Sequence, residues 1–509
     1  MSSNYYHNPI ICADYSDPDI IRVGDDFFMV ASSFNHLPAL PVLHSKDLIN
    51  WQIINHVFSS FEFGDYDQVQ PGKGVWAPSI TYHDDKFWVF FSTPDEGIFM
   101  CHSTDPWGEW SKPHCVQPAL GWIDPCPFWD DDGRAWLVHA FAQSRCGLKH
   151  QLQLFEMKTD GSALIGEGKI IYDGTADLPT LEGPKLYKRN GWYYIFAPAG
   201  GVETGWQTVL RSDKLTGNWT ARNVLFQGNS PINGPHQGGW VELANSQCWF
   251  VHFQDANVYG RIVHLQPMYW DDDNWPRIGQ TLDDHGAGQP VSSYPKPLVN
   301  GESTGDKIQT SDDFEQGKFG LQWQWPANPQ PHWLADSEAG LVLNCCPLPI
   351  RNGQDTLYFA PNLLLQKFAA FQFSAQTEMT FNPTQSGDFA GMIIYGERYA
   401  ALVVCYDNGE YRLMYRYGWV KDSGVVDEYH QPIAKLDFAS CQLKVEVGLN
   451  GICQFYYRQS QDSWIALPRQ FAAGKGKWVG AKIGMVAATD AGQNMGGNCH
   501  FKYFSVIAK

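Results

Sequence analysis

The chain has 509 residues and a formal charge of −18, from 54 Asp and Glu against 36 Lys and Arg, and only 18% of its residues are charged. Phe, Trp and Tyr number 30, 21 and 23, beside 48 Gly and 31 Pro. These counts exclude a disordered chain, a long-helix protein and a binder of the nucleic-acid backbone, which needs clustered cations.

No run of about 18 apolar residues exists, so no membrane span is expected. The opening Met1–Pro9 is neither basic nor apolar, so no signal peptide is visible. The twelve cysteines are scattered and form no Cys-x-x-Cys pattern. They read as reduced thiols, which makes a cytoplasmic location the expectation.

In chain order, one pattern recurs: an apolar stretch, a short polar turn, then an alternating aromatic stretch. It occupies Ile20–Val30, Ile80–Phe91, Pro127–His139, Lys185–Phe196 and Trp240–Phe253. Asp-Asp, Asp-Gly or Asn-Gly stands at most of the turns, the chemistry of a β-hairpin. Three of the hairpins are followed by a phrase that ends in Trp: His44–Trp51, His102–Trp110 and Arg211–Trp219. A unit of roughly fifty residues with a hairpin and further strands is the size of a propeller blade. Five units fill residues 1–300, which predicts a five-bladed β-propeller.

The texture changes around Lys296–Asp312, where a polar, Gly-containing stretch reads as a connection. Residues 309–509 carry alternating strands such as Gly391–Tyr395, Tyr411–Tyr417 and Leu443–Val447. With almost no helical periodicity, they predict an antiparallel β-sandwich of jelly-roll or concanavalin-like type. The whole chain is therefore expected to be all-β.

A propeller gathers the starts of its inner strands around one axis. Asp17, Asp124 and Glu182 stand just before or at the start of three of these strands, and each is followed within two residues by Pro. A single Asp-Pro is usually a capped turn. Three acids at equivalent places in successive repeats point instead to one acidic mouth. Asp14 and Asp19 flank Asp17, and spacing alone does not choose among them.

These motifs resemble glycoside hydrolase family 43. The likeness runs through Asp17-Pro-Asp-Ile, Val75-Trp-Ala-Pro-Ser, Ile123-Asp-Pro-Cys-Pro-Phe, Glu182-Gly-Pro-Lys, Gly234-Pro-His-Gln-Gly and Gly260-Arg-Ile-Val-His. Ser311-Asp-Asp-Phe and Gly320-Leu-Gln-Trp-Gln-Trp are similar to the opening of the sandwich domain that follows the propeller in the xylosidase-like branch. The fructan-cleaving propellers begin with a Trp-Met-Asn-Asp-Pro phrase that this chain lacks.

The resemblance implies that Asp17 is the general base, Glu182 the general acid, and Asp124 the acid that tunes and orients Glu182. Glycoside cleavage requires such a division, because one carboxyl must deliver a proton while another activates water. If the reaction inverts the anomeric centre, the two should stand roughly 6.5–9.5 Å apart, against roughly 5–5.5 Å for retention.

By the same resemblance Arg261 binds sugar hydroxyls, with a salt bridge as its plainer role; Phe34 and Trp76 are candidates to wall the pocket by stacking on the sugar face, with a pure core role the equal alternative for Trp76. His236 corresponds to a histidine near the propeller axis that helps seat a calcium ion, commonly through water, although a satisfied interior histidine is the competing reading. No cofactor is expected for the chemistry itself. A loop of the sandwich closes the pocket in similar enzymes, and residues 489–498 are the expected segment.

The expected function is exo-acting release of terminal pentose from short xylo- or arabinoxylo-oligosaccharides. β-D-xylose is the leading unit and α-L-arabinofuranose the alternative. No nucleic-acid or membrane partner is expected, and self-association stays open. A non-catalytic sugar-binding propeller is the contrasting reading, against which the three spaced acids argue.

Overall fold

The computed structural model describes residues 4–283, 286–300, 305, 307–459 and 463–509, and almost all of its regular structure is β-strand. The five expected hairpins open five successive antiparallel sheets arranged as a propeller. The first sheet runs Asp19–Val23, Asp26–Val30, Ala39–Ser45 and Gln52–Phe58. The inner strands of the other four are Trp76–His83, Trp122–Trp129, Lys185–Arg189 and His236–Glu242. Each tight turn falls where the polar residues predict it. His83 pairs with Lys86 and Arg189 with Trp192, across Asp84-Asp85 and Asn190-Gly191. All four of these turn residues have positive φ, which Asn, Asp and Gly tolerate best.

The Trp-terminated phrases lie between the third and fourth strands of their blades. In the first, Asp47 Oδ1 accepts the Ile49 and Asn50 amides at 2.9 and 2.7 Å, and Trp51 packs in the adjoining core. The ring is closed by the N-terminal segment. Tyr5–His7 pairs with Ser293–Pro295, and Tyr6 donates its hydroxyl to the Leu265 carbonyl at 2.7 Å.

The second domain is a sandwich of an eight-stranded and a seven-stranded sheet with strands between Leu334 and Ala508. Phe373–Asn382 alternates buried and half-buried positions along its length, as a strand with one face on a core requires. Val69, Val258, Tyr259 and Ile262 of the propeller join Trp323, Trp325 and Phe368 of the sandwich in one apolar cluster. Full burial of a large side chain such as Trp323 contributes about 1.5–3 kcal/mol. Backbone bonds stitch the same seam: Leu37 and Trp325 exchange hydrogen bonds of 2.8 and 2.6 Å, and the Ala481 amide donates to the Val258 carbonyl at 2.7 Å. The sandwich is therefore held against the propeller on a fixed side. All twelve cysteines are free thiols.

Candidate active site

The inner strands begin irregularly at one mouth of the propeller. Their pairing slips between Trp76 and Ser79, between Ile123 and Cys126, and between His236 and Gly238. Such bulges re-aim side chains out of the sheet. Asp17, Phe34, Asp124 and Gln237 have φ of 54°, 52°, 58° and 43°. Non-glycine residues reach this left-handed region at a cost of order 1–3 kcal/mol each and concentrate at functional sites.

These four residues, with Trp76, Ala77, Ile123, Glu182, Val202, Arg261 and Trp478, line a cavity of ≈ 100 Å³. One water needs about 10–15 Å³ of such space. The cavity therefore has the size of a small water cluster, or of one sugar ring. All six acidic, aromatic and basic residues expected around the sugar face it.

Asp17 is buried and accepts hydrogen bonds from Ser32 Oγ at 2.6 Å and from Arg261 Nη1 at 3.0 and 3.3 Å. A hydroxyl and a guanidinium thus hold its carboxylate. Asp124, equally buried, accepts the Gly183 amide at 2.8 Å. That bond ties the third blade to the residue next to Glu182, whose own amide donates to the Pro198 carbonyl at 3.2 Å. Burial first, and then the Asp124 charge, pushes the Glu182 carboxyl up to about 8. Burial, with Asp17 as a further negative neighbour, raises Asp124 to about 7 against the opposing Gly183 hydrogen bond. The cavity thus contains an acid that keeps its proton near neutrality beside a carboxylate already engaged by donors.

The structure separates Asp17 from its two flanking rivals. Asp14 reaches across the domain seam, where Oδ1 accepts the Arg261 amide at 2.8 Å and Oδ2 the Gly480 amide at 3.0 Å. Gly260 permits this approach, since it has φ of 75° and a Cβ there would lie 2.4 Å from Asp14 Cγ. Asp19 lies deeper along the axis, 3.5 Å from Lys185 Nζ, and accepts the Ile80 amide at 2.8 Å. Lys185 also donates to the Pro78 carbonyl at 2.6 Å and to Ser79 Oγ at 2.7 Å, so the pair braces the bulge below Trp76.

Arg261 both lines the cavity and pairs with Asp17, which joins its two expected roles. Phe34 and Trp76 stand with ring centres 6.2 Å apart, and Trp76 also packs on the core of the third and fourth blades.

The structure gives no support to the calcium expected at His236. Calcium takes six to eight oxygen ligands, yet no group of three metal-binding side chains occurs among the described residues. Burial first, and then the Arg261 charge and the neighbouring His252, lower the His236 imidazole to about 3. It is a neutral interior ring whose Nε2 stands 3.5 Å from Glu182 Oε1, and neither of its nitrogens has a hydrogen-bond partner, so it is not the satisfied interior histidine of the competing reading either.

The loop at 489–498 also departs from expectation. It packs within the sandwich, where Gly497 donates to Asp388 Oδ2 at 2.9 Å and Gln385 donates to the Asn494 carbonyl at 2.9 Å. The sandwich residue that reaches the pocket is Trp478. Its ring lies 6.1 Å from that of Trp76, and the Arg261 guanidinium stands 5.9 Å from its ring centre. No periodic or motif signal marks a lone Trp in Gly474-Lys-Gly-Lys-Trp-Val-Gly. Val202 carries no such signal either, whereas Gln237 lies inside the Gly234-Pro-His-Gln-Gly motif.

The model of glycosyl hydrolases family 43 matches residues 6–276, and that of the β-xylosidase C-terminal concanavalin A-like domain matches residues 311–507. A putative β-xylosidase of Xylanibacter ruminicola is 37% identical over 94% of this chain and 85% of its own length. A non-reducing end α-L-arabinofuranosidase of Bacteroides ovatus is 27% identical over 82% of this chain and 79% of its own. A solved GH43 protein of Bacillus licheniformis superposes with a TM-score of 0.81 at 25% identity, over 99% of this chain and all of its own. With a propeller that gathers three acids in a sugar-sized cavity and a sandwich that adds Trp478 to its wall, the chain belongs to glycosyl hydrolase family 43.

Proposed function

We propose that this glycoside hydrolase releases single β-D-xylose units from the non-reducing ends of short xylo-oligosaccharides with inversion at the anomeric carbon. The observation that carries the reading is the division of labour between Glu182 and Asp17 within a cavity the size of one sugar. Glu182 passes its proton to the glycosidic oxygen as the C1–O bond breaks. Asp17 takes a proton from the water whose oxygen bonds to C1 from the opposite face. Asp124 keeps Glu182 protonated through its nearby charge and holds the Gly183 backbone. Arg261 orients Asp17 and offers its remaining donors to sugar hydroxyls, while Phe34, Trp76 and Trp478 supply apolar walls.

α-L-arabinofuranosides are the second substrate class, on the strength of the relative that bears that activity in its name. A cavity of ≈ 100 Å³ favours short chains, and a cytoplasmic enzyme acting on imported oligosaccharides accords with cysteines that form no disulfide.

The deciding experiment compares wild type, Asp17→Ala and Glu182→Ala on phenyl β-D-xyloside and phenyl α-L-arabinofuranoside, with the first-formed anomer read by NMR. Each substitution should lower kcat by about 10²–10⁴-fold, and the first product should be α-xylose. Activity that survives both changes, or β-xylose as first product, would overturn the assignment.

A further inference from the structure

Behind the sugar cavity, at the seam of the two domains, lies a second and much smaller cavity of ≈ 20 Å³. The propeller contributes Asn35 and His36 to it, and the sandwich contributes Tyr358, Tyr395, Lys477 and Lys482. Its charge comes from Lys477 and Lys482, while burial and the nearby lysine charges keep His36 neutral. Lys482 is 2% exposed and His36 3%. Neither ring nitrogen of His36 has a hydrogen-bond partner, although the Ser33 carbonyl stands near. Two further donors are already used: Asn35 Nδ2 donates to the Pro326 carbonyl at 2.7 Å, and Tyr395 donates to the Tyr358 carbonyl at 2.8 Å.

A second ammonium, that of the partly buried Lys367, acts on both His36 and Lys482, and its Nζ lies 5.0 Å from the Tyr15 ring centre. Among the described residues Asp14 is the one carboxylate that bears on the two lysines. Both Asp14 oxygens already accept backbone amides, from Arg261 and Gly480. Two ammonium groups therefore face one carboxylate. An uncompensated buried charge is costly, and proteins pair it, neutralise it or bind a counter-ion.

We propose that this cavity binds a single monatomic anion of the halide class between His36 of the propeller and Lys482 of the sandwich. The volume sets the class. At about 10–15 Å³ per water-sized occupant, there is room for one halide and none for sulfate or a sugar. The charge agrees, because one negative ion completes the balance left by Asp14. Burial and the Lys367 charge press Lys482 toward deprotonation, to about 7, and a bound anion opposes that pressure. The ion would join the domains directly behind the segment that carries Trp478. The inference does not depend on which sugar the enzyme cleaves.

Two measurements on the full-length enzyme test it. Crystals soaked in sodium bromide should show a bromine anomalous peak between the His36 ring and Lys482 Nζ. Thermal unfolding at equal ionic strength should give a higher Tm in sodium chloride than in sodium gluconate, whose anion is too large to enter, by on the order of 2 °C. Lys482→Met should lose both the peak and the salt preference. If that variant does not fold, the wild-type bromide map still decides. No bromine peak at this position overturns the proposal, and so does an equal Tm in the two salts, because Lys482 would then be carried neutral.

Discussion

Substituting Asp124 by Asn probes the arrangement that keeps Glu182 protonated. The change removes a negative charge and little else, since an Asn side-chain oxygen still accepts the Gly183 amide that Asp124 Oδ2 now holds at 2.8 Å. The Glu182 carboxyl is raised from 4.5 to about 8, with burial the first cause and the Asp124 charge the second. Asn removes only the second cause. A neighbouring charge within a few ångströms is worth about 1–3 units, each about 1.4 kcal/mol. The basic limb of kcat/KM should therefore move down by roughly one unit and stop above the range of an exposed Glu. The two carboxyls titrate as a pair, so the limb reports that pair rather than one site. The assay is a profile of kcat/KM from pH 4 to 10 on phenyl β-D-xyloside, whose poor leaving group needs the proton. The limb position does not depend on how much activity remains. A limb that stays in place, or moves up, would refute the electrostatic role given to Asp124.

Glu182→Gln should stabilise the fold in alkaline solution. The folded carboxyl titrates above its unfolded value, so its ionisation costs stability as pH rises from about 4.5 to about 8. Differential scanning calorimetry should show equal Tm values near pH 4 and a higher Tm for the variant at pH 9. Trp478→Ala removes a half-exposed wall, so KM should rise by roughly 3–10-fold with a smaller change in kcat, measured on xylobiose. Lys185→Met leaves Asp19 buried without its partner and should cost about 3–5 kcal/mol in urea unfolding. The Asp19→Asn/Lys185→Met double variant should regain part of that loss. A double variant as unstable as the single one would mean that the Pro78 and Ser79 contacts, not the charge pair, carry the effect.

The blades were legible because their signal is local. Asp84-Asp85 and Asn190-Gly191 must turn where their φ values are positive, and the flanking aromatics can pack only as strands. The cavity was legible through the repeats, since blade geometry brings Asp17, Asp124 and Glu182 to one mouth once their positions in the repeat are known. The choice among Asp14, Asp17 and Asp19 was not. All three share one short stretch, and what separates them is contact with Gly480, Arg261 and Lys185, hundreds of residues away in two instances. Trp478 was invisible for the same reason. Its place is set by how the sandwich docks, and a Gly-rich loop at 489–498 looked the better lid on composition alone. His236 shows the converse, for its motif is readable while no group of three metal-binding side chains gathers around it among the described residues.

Asp14 also has a meaning in time. It sits near the start of the chain, and the Gly480 amide it accepts comes from near the end, two residues past the Trp that walls the pocket. A ribosome therefore finishes the propeller, with its three acids, well before the chain segment that completes the pocket exists. The sugar site is assembled only when nearly the whole polypeptide has been made and its second domain has docked, so an incomplete chain carries the acids without the enclosure in which they work.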